Sequence, residues 1–172
     1  STISGNTGFG AVLAYGASTI AIRNTTIAAN LGTGGLYITN GAAPVLVSCI
    51  VAGNAGGDIR NGSLGAGSTN NLIQDAAHAG GLTNNVNGNL VGVDPLLSPL
   101  ANNGGTTKTM ALQAGSPALA KGLNPANLTT DQRGGLFSRG TSVDIGAYQR
   151  QSLALVVDEN DGNYAAGDLS LR

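Results

Sequence analysis

Apolar positions in the first 54 residues fall in short runs, and one phrase returns three times. Thr2-Ile3-Ser4-Gly5-Asn6, Thr26-Ile27-Ala28-Ala29-Asn30 and Ile50-Val51-Ala52-Gly53-Asn54 each place an apolar residue three positions before an Asn. These Asn residues are spaced 24 residues apart, and Gly10 with Gly34, Val12 with Leu36 and Ile22 with Leu46 keep the same step. Between the phrases lie Ala11-Val12-Leu13-Ala14-Tyr15 and Thr19-Ile20-Ala21-Ile22, bounded by Gly8, Gly16, Gly34, Gly35, Asn40 and Gly41. Such runs predict short strands broken by turns. No window combines helical spacing of apolar residues with a cap.

A constant period of this size marks a stack of units, each stable only on its neighbours. A leucine-rich repeat would fit the length, but its ordered Leu positions are missing. The pattern therefore predicts an all-β fold, a right-handed parallel β-helix (solenoid). Each coil would hold about 24 residues and three short strands, and a loop-rich segment would follow. Asn6, Asn30 and Asn54 would stand in one column as a structural ladder, their side-chain amides bonding along the axis as stacked Asn do in cross-β assemblies. Asn is also a good turn former in its own right, but a register held without a slip favours the ladder.

Composition fits a thin core with many tight turns: 28 Gly, 10% charged residues, 3% aromatic residues and no Trp. An apolar fraction of 41% argues against disorder. The formal net charge of −1 offers no electrostatic footprint for nucleic acid or an anionic membrane. No apolar run reaches the length of a membrane span. The single Cys49 excludes an internal disulfide and shares the core-facing column of Thr25, so it reads as a buried, inert thiol. The first residue already lies inside a coil phrase, as in a mature fragment or one segment of a longer protein.

Three regions follow. Residues 1–93 are parallel β-helix coils, regular to about residue 57. Residues 56–62 look like a shortened copy of 34–41, and Ser68-Thr69-Asn70-Asn71-Leu72-Ile73 opens a fourth coil. Residues 76–92 read as a loop bulging from the stack. Residues 94–150 form a segment packed on the helix, where every proline but Pro44 falls. Residues 151–172 are a strand-bearing acidic tail.

The middle region carries Asp94-Pro95-Leu96-Leu97, Asn103-Gly104-Gly105, Gly115-Ser116-Pro117-Ala118, Asp131-Gln132-Arg133-Gly134 and Val143-Asp144-Ile145-Gly146-Ala147-Tyr148 in order. With the coils upstream, this series resembles bacterial surface β-helix proteins that end in a choice-of-anchor domain of the Q type. The resemblance spans about residues 90–150. It implies a large secreted or cell-surface protein, extracellular in location, with no agreed enzymatic activity. The sequence departs from the family at Ala120 and Gln149, where relatives commonly have Asp and Glu; both changes weaken any acidic site there. The tail is similar to the opening of a C-S-L-R-E-A-I segment, with Leu169 in place of the Cys.

Candidate chemistry is sparse. A polysaccharide lyase or hydrolase on this scaffold needs clustered carboxylates on one wall, yet residues 1–57 contain no Asp or Glu and one basic residue, Arg23. No enzymatic activity is expected, and no catalytic or cofactor-binding residues. His78, with Asp75 three places earlier, reads as an exposed loop residue. Asp131, Arg133, Arg139 and Asp144 suit a structural ion-pair cluster. Asp158, Asn160, Asp161 and Asp168 resemble the front of a Ca²⁺ loop, but the register of an EF-hand fails and a solvated acidic turn is expected; calcium is the one cofactor considered. Glycan binding would call for exposed aromatic platforms, and the aromatic residues are Phe9, Tyr15, Tyr37, Phe137, Tyr148 and Tyr164.

An open-ended stack leaves unpaired backbone groups. Leu153, Leu155, Val156 and Val157 form a spare apolar strand able to pair with another chain. These readings predict a structural extracellular protein whose partners are copies of itself, joined head to tail into a filament or tandem array. The alternative is a surface adhesin or glycan-binding module with a site on a lateral wall.

Overall fold

The computed structural model describes residues 1–17 and 19–151. Ten strands of two to four residues alternate with turns: β1 (Thr2–Ile3), β2 (Val12–Tyr15), β3 (Ala21–Arg23), β4 (Thr26–Ala28), β5 (Leu36–Thr39), β6 (Val45–Val47), β7 (Ile50–Ala52), β8 (Ile59–Arg60), β9 (Leu72–Ile73) and β10 (Leu90–Val91). The one helical element among the described residues is a short 3-10 turn, Ala76–His78.

All strand pairs are parallel, and the chain visits three sheets in rotation. One sheet runs β1-β4-β7-β9-β10, the second β2-β5-β8 and the third β3-β6. Thr2 lies beside Thr26 and Thr26 beside Ile50; Val12 faces Leu36, and Ala21 faces Val45. The three sheets therefore share the sequence period, because equal steps of chain bring equivalent residues into register. This arrangement is compatible with the expected solenoid, although the sheets are small.

The circuits then shorten. Leu72 pairs with Ile50 and Leu90 with Leu72 in the first sheet, while the second sheet stops at β8 and the third at β6. The expectation of a bulging loop over residues 76–92 needs correction, since its end supplies β10 and its start the 3-10 turn. Asp75 caps that turn by accepting from the Ala77 N–H at 3.0 Å.

Two cores lie back to back across the first sheet. Ile27, Val51 and Ile73 point between the three sheets and meet Ala14, Leu36, Ile38, Leu46 and Ile59. Ala28, Ile50, Ala52 and Leu72 point the other way and meet Met110, Leu112, Ala118 and Ile145 of the C-terminal segment. Consequently every residue of β4 and β7 is buried, as expected of a parallel sheet covered on both faces. The strands of the second and third sheets expose alternate residues.

Among the described residues, the segment 94–151 has no strand pairing beyond three isolated antiparallel bridges, at Leu97–Leu112, Ala101–Thr109 and Thr130–Ser138. A column of turns holds it to the stack. Asn24, Ser48 and Asn70, equivalent positions after β3, β6 and the Thr69 bridge, take φ of 44°, 55° and 52°. The left-handed turn directs their side chains at the passing backbone of residues 121–123. Asn70 Nδ2 donates to Lys121 O at 2.9 Å, Asn24 Nδ2 donates to Leu123 O at 2.8 Å, and Ser48 Oγ accepts from Leu123 N. Gly146 closes the contact. Its φ is +101°, and an added Cβ would lie 2.7 Å from Thr26 Oγ1 and 2.9 Å from Ile50 Cδ1, so only Gly lets the segment lie this close to the sheet.

Candidate functional site

Asn6, Asn30 and Asn54 follow β1, β4 and β7 at the same turn, and their side chains join along the stacking direction. Asn6 Nδ2 donates to Asn30 Oδ1 at 2.9 Å, and Asn30 Nδ2 donates to Asn54 Oδ1 at 2.8 Å. The backbone N–H groups of Asn6 and Asn30 bond the same two oxygens at 3.1 and 3.2 Å. Each buried amide therefore accepts twice and passes its own protons onward. Gly35 is required beside this file, because a Cβ there would sit 2.6 Å from Asn54 Nδ2.

The file has a direction and an end. Asn54 Nδ2 donates to Asp58 Oδ1 at 2.9 Å, and Asp58 Oδ2 accepts from the Asp75 N–H at 2.8 Å. A carboxylate accepts but cannot donate onward, so Asp58 terminates the run. Burial raises the Asp58 pKa above the ordinary carboxylate value, opposed by the donors from Asp75 and Asn54.

A second file starts one column away. Cys49 N–H donates to Asn71 Oδ1 at 2.9 Å, and Asn71 Nδ2 donates to Asn89 Oδ1 at 3.0 Å. Asn89 Nδ2 ends on Ser68 O and Val86 O at 3.1 and 3.0 Å. Sequence reasoning missed this file. Its signal was available, because Asn71-Leu72-Ile73 and Asn89-Leu90-Val91 repeat the shape of Cys49-Ile50-Val51 at shrinking intervals. The Cys49 thiol is fully buried, and desolvation raises its pKa to about 11, which leaves it protonated and unreactive at neutral pH.

His78 is not a free loop residue. Its Nδ1 lies 2.6 Å from Asp75 Oδ2, and its Nε2 meets Arg60 Nη1 of β8. With Nδ1–H donating to Asp75, Nε2 is left to accept from the guanidinium, which fits a neutral imidazole. Burial works against the Asp75 carboxylate, but the bonds from His78 and Ala77 hold its pKa below the ordinary value. Among the described residues no hydroxyl or thiol nucleophile joins the group, and the trio ties β8 to the short helical turn.

The expected four-membered ion-pair cluster is smaller in the structure. Arg133 and Asp131 form a buried pair, with Nη2 and Nε at 2.7 and 3.0 Å from Asp131 Oδ2. The Arg133 guanidinium lies between the rings of Phe137 and Tyr148, 3.8 and 3.9 Å from their centres. Asp131 also accepts from Gln149 N–H at 2.8 Å. Asp144 spends its oxygens on backbone instead, taking Ala120 N–H at 2.8 Å and Arg150 N–H at 2.7 Å. Arg139 joins no carboxylate among the described residues. Its Nη2 donates to Gly146 O at 2.9 Å, and Nε and Nη1 have no partner there. The backbone of these loops has no sheet to bond to, and the side chains were drawn into that role.

On the outer wall of the second sheet Phe9 and Tyr15 are 75% and 63% exposed, with Leu13 between them. Phe9 meets Tyr37 edge to face at 5.9 Å. A polar hollow of about 360 Å³ is lined by Ser138, Thr141, Ser142, Asp144 and Arg150. Another of about 280 Å³ lies between Ala28, Ala52, Pro95, Pro99 and Met110. Among the described residues, no three His, Cys, Asp or Glu side chains gather as a metal site, and no helix is long and apolar enough to cross a membrane. The calcium candidates Asp158, Asn160, Asp161 and Asp168 lie outside the described residues, as does the proposed connecting strand Leu153, Leu155, Val156 and Val157.

No known protein family, curated protein or solved structure matches the chain.

Proposed function

We propose that the chain is a right-handed parallel β-helix acting as a structural, extracellular building block, joined end to end to copies of itself. The observation that carries this reading is the difference between the two ends of the stack. Among the described residues β1, β2 and β3 are each the edge strand of their own sheet, so one end presents three strands, one per sheet, with no further strand beyond them. There the exposed Asn6 starts the amide file and accepts no side-chain bond among the described residues. At the opposite edges of the three sheets lie β10, β8 and β6, staggered because the circuits shorten, and the amide file stops at Asp58. Two unlike ends give a head-to-tail contact, which does not close on itself and grows into a filament. The apolar strand of the tail, Leu153 to Val157, would add to the β1–β3 edge of the next copy.

The test is removal of residues 151–172 followed by electron microscopy and sedimentation. Full-length protein should form filaments, and the shortened protein should stay a folded monomer. Filaments from the shortened protein would discard the role of the tail, and monomers from both would discard self-assembly.

A second reading is supported by the wall formed by Phe9, Leu13, Tyr15 and Tyr37. Exposed aromatic rings on a rigid sheet suit the apolar faces of sugars, as an adhesin or glycan-binding module requires. Binding on a glycan array that is lost on Tyr15→Ala would favour it; an array without binding would remove it. Neither reading gives the chain an enzymatic activity or a bound metal.

A further inference from the structure

We infer that Asn127 is an acceptor for an N-linked glycan, and that the fold withholds the two other sites of the same sequence type. Three Asn-x-Ser/Thr triplets without proline occur: Asn24-Thr25-Thr26, Asn61-Gly62-Ser63 and Asn127-Leu128-Thr129. In a secreted protein such a triplet marks a glycan acceptor when it lies on a surface loop. The inference thus rests on the extracellular part of the reading above, and not on filament formation.

The three amides differ in what they already do. Asn24 is only 2% exposed, and its Nδ2 donates to Leu123 O at 2.8 Å. A sugar on that nitrogen would lever the C-terminal segment off the stack. Asn61 reaches the surface, yet its Nδ2 donates to Ile38 O at 3.1 Å and ties β8 to the strand beside it. Gly62 also lies flat against Ile38, where an added Cβ would come within 2.6 Å.

Asn127 stands apart. It and Thr129 are exposed, and neither side chain makes a hydrogen bond among the described residues. The turn beneath is braced without them, since Asn124 Nδ2 donates to Leu128 O at 2.8 Å and Asn124 Oδ1 accepts from Leu128 N–H at 2.9 Å. Asn127 sits at the tip with φ of 50° and its backbone N–H bonded to Asn124 O. The amide is therefore held out on a rigid support and costs the fold nothing when it is substituted.

The donor would be an oligosaccharide on a polyprenyl diphosphate. Asn127 Nδ2 forms the bond to the anomeric carbon, the bond from that carbon to the diphosphate oxygen breaks, and the amide gives up one proton as the lipid diphosphate leaves. No oxidation or reduction is involved. The turn follows the stretch that climbs from Asn70 past Ser48 to Asn24, so the glycan would stand at the side of the stack toward the β1–β3 end.

The experiment is peptide mass spectrometry on protein from its native source, with culture medium, cell surface and cell interior fractionated in parallel. The expected result is sugar on the Asn127 peptide and none on those of Asn24 and Asn61. Unmodified Asn127 in protein recovered from outside the cell overturns the inference and leaves the structural reading standing. Protein confined to the cell interior with Asn127 bare overturns both the inference and the assigned location. Secretion from a glycosylating yeast supplies the second arm. There Asn127→Gln should abolish the glycan-dependent gel shift while Asn61→Gln leaves it unchanged; a shift that survives Asn127→Gln overturns the inference.

Discussion

Residues 1–57 and residues 94–151 solve the same problem in opposite ways. The first stretch has almost no charge and satisfies its backbone through parallel strands and files of neutral amides, with each turn copying the one before. The second has little pairing of its own and relies on buried ionised groups, Asp131, Arg133 and Asp144, whose oxygens and guanidinium replace the missing sheet. A repeating device can be extended indefinitely, because it needs only another equal step of chain. An ionic cluster cannot, since each member is matched to particular neighbours.

The largest expected effect breaks the ionic half. Asp131→Ala leaves the buried Arg133 without its carboxylate and two backbone donors without an acceptor, at a cost of roughly 3–5 kcal/mol. Limited proteolysis should then cut within 94–151 before residues 1–93, and urea unfolding should show the parallel sheets melting as a separate step. Proteolysis of sheets and segment at one rate would show that the two halves fold as one unit.

In the amide half the same logic gives a smaller penalty. Asn30→Ala strips the acceptor from the Asn6 N–H and side chain and removes the donor to Asn54, costing about 1–3 kcal/mol of stability in urea unfolding. Asn6→Ala, at the exposed start of the file, should cost less than about 1 kcal/mol. Equal costs at the two positions would mean that the file contributes nothing beyond ordinary turn propensity.

Asp58 joins the two strategies, a carboxylate closing a file of amides, and it makes a pH prediction. Its folded pKa is raised, so the folded state holds the proton more tightly than the unfolded chain does. Its contribution is therefore most favourable at pH below the ordinary carboxylate value and declines as pH rises through the folded pKa. The stability of the parent protein minus that of Asp58→Asn should fall across that window. Carbon NMR of the Asp58 carboxyl should place its midpoint above that of an exposed Asp; a midpoint at or below it would refute the assignment.

The smallest effect sharpens the repeat itself. Ala29 has φ of 54° in a column whose other members are Gly5 and Gly53. A left-handed conformation costs a residue with a Cβ roughly 1–2 kcal/mol, partly offset by the greater freedom of Gly in the unfolded chain. Ala29→Gly should therefore raise the unfolding free energy by up to about 1 kcal/mol. No gain would mean that the column tolerates Cβ atoms at this turn.

Much of the first half was legible because parallel stacking writes itself into the chain as an equal step. The 24-residue interval predicts which residues become neighbours, and the Asn6, Asn30 and Asn54 side chains do bond one another across that interval. The shortened phrase at Asp58-Ile59-Arg60 likewise lies beside Gly35-Leu36-Tyr37. Once the step shrank, the pattern no longer announced itself. The 24-residue step assigns no ladder to Asn71 and Asn89 and leaves Leu90–Val91 within a loop.

Tertiary structure alone decided the remainder. Nothing periodic links Thr26 to Ala147, yet Thr26 Oγ1 accepts from the Ala147 N–H at 3.1 Å. Nor does spacing reveal that Asp144 serves backbone while Arg139 is buried without a carboxylate among the described residues. Residue types foretold which groups carry charge, whereas their partners depended on how one irregular segment lies across a sheet. Regular stacking needs only local repetition, but the fit of a loop to a wall is a property of the whole packed surface.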